Sequence, residues 1–147
     1  MNTDTQKILG NKILLLQKYM KKLAAYLVNA DDELLHNEDK LLAMERVFQL
    51  VVDESIDING ILSYQLGGTI PDSLKSSFYE IVPLNIIDYS FAEKIAESAK
   101  VRNQLTHDYD KLTNHEVVMA IRKFFEMYKT YEKILVEKFI KPFINKI

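Results

Sequence analysis

The chain has 147 residues, 48% hydrophobic and 27% charged, one domain's worth of ordinary globular composition that excludes a disordered chain. Nineteen basic against 21 acidic side chains give a formal net charge of −2, which excludes a histone-like or tail-type nucleic-acid binder but not a local basic site. The absence of Cys removes disulfides, thiolate metal sites and cysteine nucleophiles, and with three His a His-only metal site is not expected either.

Four Gly and three Pro leave few turns, so the chain is expected to be mostly long helices. The opening MNTDTQKILGNK is polar and mixed in charge, without the apolar core of a secretion leader. No window approaches the roughly 18 uninterrupted apolar residues of a membrane span, and the expected compartment is the cytoplasm.

The first helical pattern runs from about Thr5 to Asn29. Leu9, Ile13, Leu16, Met20, Leu23 and Leu27 are spaced four and three residues apart, the period of a helix with one buried face. Thr3 and Gln6 are placed as a capping box at its start. Ala30 to His36 reads as a connection.

The second pattern opens at Asn37, with Glu38 and Asp39 suited to the positive end of a helix dipole, and runs to Gly67-Gly68. Its buried face is read as Leu41, Met44, Phe48, Val51, Val52, Ser55, Ile58 and Leu62. Gly60, inside it, predicts close helix packing or a kink.

TIPDSLKSSFYEIVP is read as a short helix between Pro71 and Pro83. Asp88 or Ser90 caps the third long helix, whose apolar side is Phe91, Ile95, Ala99, Val101 and Leu105. After the turn DYDKLTN, Thr113 and Glu116 form a capping box for the last helix. Its stripe is Val117, Ile121, Phe124, Tyr128, Tyr131 and Leu135, and Pro142 ends it. Four long helices and one short one predict an all-α, up-and-down four-helix bundle in a single domain spanning 1–147.

One stretch carries chemistry: Arg102-Asn103-Gln104-Leu105-Thr106-His107-Asp108-Tyr109. Asn103 and His107 are four apart, so the amide can orient the imidazole if the helix continues. Arg102 and His107 are five apart and diverge on one helix, but an unwound end brings them toward a shared surface. Cutting RNA without a metal needs a base for the 2′-hydroxyl proton, an acid for the leaving 5′-oxygen and a cation for the charge on the phosphorane. A guanidinium fork suits the last task. One His cannot easily make both proton transfers, whereas two copies about a dimer axis supply a pair.

The segment reads R-x4-H-x-Y with Asn directly after the Arg, and it resembles the signature of the HEPN superfamily, specifically its HepT-like toxins. The likeness extends to Glu54-Ser55-Ile56-Asp57-Ile58, to Pro71 and Phe78, to Ile86-Ile87-Asp88 and to Tyr109-Asp110. At Val82-Pro83-Leu84-Asn85 the chain departs from the small-residue pattern of that family. The resemblance implies the HEPN fold and a homodimeric, metal-independent endoribonuclease without a cofactor, the toxin of a toxin–antitoxin system. Carried over, Arg102 and His107 are catalytic and Asn103 supports them. Tyr109 is the tyrosine to which a partner antitoxin, a minimal nucleotidyltransferase, transfers AMP. The alternative is a non-catalytic HEPN subunit that binds nucleotide or scaffolds a nucleotidyltransferase.

Lys100, Lys111, Arg122 and Lys123 are candidate RNA contacts. Glu54 and Asp57 are equally compatible with ion pairing and with a place near the site. His36 and His115 are read as structural, and the aromatic residues of the last helix as core or dimer contact.

Overall fold

A computed structural model describes residues 1–107 and 112–144. The chain forms α1 (Thr3–Leu27), α2 (Asp31–Leu35), α3 (Glu38–Leu62), α4 (Ser76–Glu80), α5 (Tyr89–Thr106), α6 (Asn114–Phe139) and α7 (Lys141–Ile144). Among the described residues no helix is long and apolar enough to cross a membrane.

Each of the four long helices starts on a side chain that accepts a hydrogen bond from an otherwise unpaired backbone N–H. These are Asn2 for α1, Asn37 for α3, Asp88 for α5 and Thr113 for α6. Such a cap contributes about 1 kcal/mol. The Thr113–Glu116 box is reciprocal, with both bonds at 3.1 Å. At α1 the cap is Asn2 rather than the expected Thr3, because Thr3 already lies inside the first turn.

The four long helices pack side by side in the ring order α1, α3, α5, α6. The stripes of α1 and α6 turn inward as read from their spacing, with Leu9, Ile13, Leu16, Met20 and Leu23 meeting Val117, Ile121, Phe124, Tyr128, Tyr131 and Leu135. α5 differs from expectation. It buries Ala92, Ile95, Ala96, Ser98 and Ala99, while Phe91, Val101 and Leu105 are only half-buried. Apart from Ile95, its inner face is made of small side chains.

The connection after α1 contains the short helix α2, which covers α6 and α3 with Leu34 fully buried. After Leu62, α3 loosens into one π-turn over Ser63–Gly67 and stops at Gly68, whose φ of 69° suits a residue without a Cβ. The short helix is shorter than its flanking prolines suggested: α4 is five residues, and Pro71 lies outside it. The stretch where the family pattern is broken turns through Asn85 at φ 61°, a left-handed conformation that Asn tolerates better than most side chains. Phe78 anchors α4, its ring edge-on to Tyr128 and Tyr131 at centroid distances of 6.4 and 5.9 Å.

A chain of buried hydrogen bonds crosses the bundle. The Tyr131 hydroxyl of α6 donates to Asn59 Oδ1 of α3, Asn59 Nδ2 donates to Ser77 Oγ of α4, and Ser77 Oγ donates to the Leu74 carbonyl.

Candidate functional site at the end of α5

α5 ends at Thr106. His107 follows in an extended conformation, φ −122° and ψ 126°, with its side chain exposed. The divergence expected of two residues five apart on one helix therefore does not apply, since the last residue has left the helix.

His107 lines an open groove of about 800 Å³ between α3, α5 and the segment before α4. Asn103, Lys100 and Ala99 line it from α5, Ile56 and Gly60 from α3, and Pro71 and Leu74 from the opposite wall. Gly60 neither interrupts the helical span of α3 nor admits a closely packed helix. A Cβ built there would meet nothing within 4 Å, so the glycine widens the groove. At the rim Lys75 pairs with Glu97 at 2.8 Å, and that bond holds the Lys75 ammonium above and the Glu97 carboxyl below their usual ranges.

Arg102 is not among the groove-lining residues. Its guanidinium is turned to Asp53 on α3, with Nε donating to Oδ1 at 2.8 Å and Nη2 to Oδ2 at 3.2 Å. Its Nη1 donates to Asn103 Oδ1 at 3.3 Å. Asn103 thus supports the Arg through its amide oxygen while it faces the same groove as His107. One subunit brings Asn103, Lys100 and His107 to one cavity and keeps Arg102 beside it.

Close to that pair, Tyr128 is fully buried and shares a 2.7 Å hydrogen bond with Ser98 Oγ. Burial raises its hydroxyl pKa far above normal, the Ser98 bond opposes this, and the Asp53 charge adds to the rise. Tyr128 is therefore a neutral core phenol. Tyr109 and Lys111 lie outside the described residues.

The remaining candidates make contacts within the bundle. Arg122 is a correction: its guanidinium donates to Asp31 Oδ1 and to the carbonyls of Leu27 and Asn29, which pins the α1–α2 connection to α6. The Lys123 ammonium lies 5.5 Å from the centre of the Phe124 ring. His36 Nδ1 contacts the Asp32 carbonyl at 2.7 Å. Glu54 and Asp57 share Lys12 of α1, at 3.8 and 3.6 Å.

Glu54 is buried and its Oε1 lacks a hydrogen-bond partner. Burial raises its pKa, Lys12 lowers it and Asp57 raises it again, for a net rise. A carboxyl whose folded pKa is raised favours the fold below its unfolded pKa and loses that contribution as pH rises through the folded value. Glu54→Gln is accordingly expected to melt higher than the native chain at pH 7 and to converge with it near pH 4. Equal melting temperatures at pH 7 would show that Lys12 fully compensates the burial.

The Arg-Asn-x3-His segment closes α5 beside an open groove in an all-α bundle. The comparison with known proteins makes this specific. The model of the family described as Ribonuclease HepT-like matches residues 16–134, and the chain belongs to that family of ribonucleases. It is 28% identical over 124 residues to the tRNA nuclease HepT of Aphanizomenon flos-aquae, covering 84% of each chain. It is 26% identical over 110 residues to a putative RNase of Archaeoglobus fulgidus, covering 73% of this chain and 82% of the relative. Its fold matches the tri-AMPylated HEPN toxin of Shewanella oneidensis, solved in complex with its MNT antitoxin. That match has a TM-score of 0.80 at 20% identity, over 94% of this chain and 100% of the other. A toxin–antitoxin structure with AMP-PNP matches with a TM-score of 0.76 at 19% identity, over 90% of this chain and 99% of the other.

Proposed function

We propose that the chain is the toxin of a toxin–antitoxin pair, a homodimeric endoribonuclease that needs no metal and is silenced by AMP transfer to Tyr109. The observation that carries this reading is the division of the site. One subunit brings a single imidazole, His107, to the groove with Arg102 held beside it, and a second copy supplies the second proton-transfer group. A His of one subunit removes the 2′-hydroxyl proton of the RNA. The 2′-oxygen attacks the phosphorus, and the His of the other subunit protonates the departing 5′-oxygen. The products are a 2′,3′-cyclic phosphate and a 5′-hydroxyl. Arg102 stabilises the charge that builds on the phosphorane, and Lys100 and Lys111 hold the flanking backbone.

The partner is a cognate minimal nucleotidyltransferase, a reading supported by the toxin–MNT complex whose fold this chain shares. AMP on Tyr109, two residues from His107, would put negative charge and bulk where the RNA phosphate must sit. tRNA is the first substrate to test, because the Aphanizomenon relative is a tRNA nuclease. The test is incubation of the purified protein with tRNA in EDTA. Cleavage to cyclic-phosphate ends is the expected result. Intact tRNA after phosphodiesterase treatment of the protein would favour the non-catalytic scaffold instead.

Tyr109→Phe is expected to remain toxic yet escape neutralisation. Intact-mass measurement after incubation with the nucleotidyltransferase and ATP should show AMP adducts on the native chain and none at position 109 in the variant. An unmodified native chain would overturn the AMP mechanism.

A further inference from the structure

Among the described residues, Asp53 is a strong partner of Arg102 that no motif contains. It stands on α3, 49 residues before Arg102, and takes the guanidinium by two oxygens. The pair is half-open, with side-chain exposures of 25% for Arg102 and 38% for Asp53, so a ligand can reach it from one side.

We infer that Asp53 is a positioning residue that fixes which edge of the Arg102 guanidinium meets the scissile phosphate. A guanidinium has five N–H bonds on rigid edges. Asp53 occupies the edge made by Nε and one N–H of Nη2, and Asn103 takes one N–H of Nη1. What is left is one N–H on each Nη nitrogen, available to phosphate oxygens. A long, flexible Arg is thereby immobilised before substrate arrives, so less ordering is left for the transition state. The same carboxylate also offsets part of the positive charge offered to RNA. Asp53 therefore favours turnover while weakening ground-state attraction, two effects of opposite sign that a merely structural ion pair would not produce together.

The inference rests on the ribonuclease reading, and the experiment separates the two. Asp53→Asn is close to isosteric, and Asp53→Glu keeps the charge and both acceptor oxygens. Under multiple-turnover conditions with tRNA, Asp53→Asn is expected to lower kcat by about ten- to a hundred-fold with KM unchanged or lower, and Asp53→Glu to recover most of kcat. Melting temperatures follow folding in each variant. A kcat within two-fold of the native value in folded Asp53→Asn overturns the inference. So does an increase in kcat, which would make Asp53 a brake. The 15N-edited NMR signal of Arg102 Nε–H gives a readout that needs no activity. It should be protected from exchange in the native chain and lose that protection in Asp53→Asn. A native chain that leaves RNA intact but protects this N–H sinks the nuclease reading alone, whereas an unprotected N–H in the native chain sinks the positioning role.

Discussion

His107→Ala is expected to lower RNA cleavage by about 10²–10⁴-fold, the usual contribution of a positioned acid or base, while leaving the fold intact. The structural reason for expecting a clean loss is the location of the side chain. His107 has left α5, is exposed and belongs to no part of the buried core, so its truncation creates no cavity. Single-turnover cleavage and thermal melting measured side by side test this. A melting temperature that falls together with activity would make His107 a structural residue.

Subunit mixing extends the test. If each cut needs a His from both copies, equimolar mixing and exchange of native and His107→Ala subunits leaves about a quarter of the activity of the same amount of native protein. Independent sites would leave about a half.

The largest stability effect is expected at Phe78. Truncation to Ala should cost about 3–5 kcal/mol, as for other fully buried aromatic side chains. Phe78 is 0% exposed and packs edge-on to two fully buried tyrosines, so the space it leaves has little freedom to collapse. α4 has five residues, too few to be stable as a helix by itself, and depends on this anchor. Against a typical total of about 5–15 kcal/mol the loss is a large fraction of the fold. Urea unfolding followed by circular dichroism measures it. A loss under about 1 kcal/mol would mean that α4 is held by other contacts.

The helices were legible where one face of a long segment repeats at helical period. α1 buries its stripe except Leu27, which is half-buried, and α6 buries its whole stripe together with Val118. α5 was legible as a helix and its orientation only in part. Ile95 and Ala99 are buried as read, whereas Phe91, Val101 and Leu105 are half-buried and Ala92, Ala96 and Ser98, too small to stand out in a hydrophobicity reading, are buried instead. The motif at 102–107 was visible because its residues adjoin in sequence. Asp53 was not, since its partner lies 49 positions away and it sits between Val52 and Glu54 without a motif of its own. Its one local signal is a carboxylate at the edge of the buried stripe of α3. Arg122 shows the converse, a cation near the motif in sequence whose partners lie more than 90 residues earlier.

The hydrogen-bond chain from Tyr131 through Asn59 and Ser77 to the Leu74 carbonyl has an evolutionary consequence. Replacing any one of the three side chains strands a buried partner, while replacing all three together with apolar groups need not. Tyr131, Asn59 and Ser77 stand on three different helices, yet they should behave as a single heritable unit. Relatives are expected to keep the trio or lose it whole, and double substitutions within it should show strong epistasis. Because the last link, Leu74, lines the groove, a substitution in the middle of the bundle should disturb the groove wall as well as cost stability.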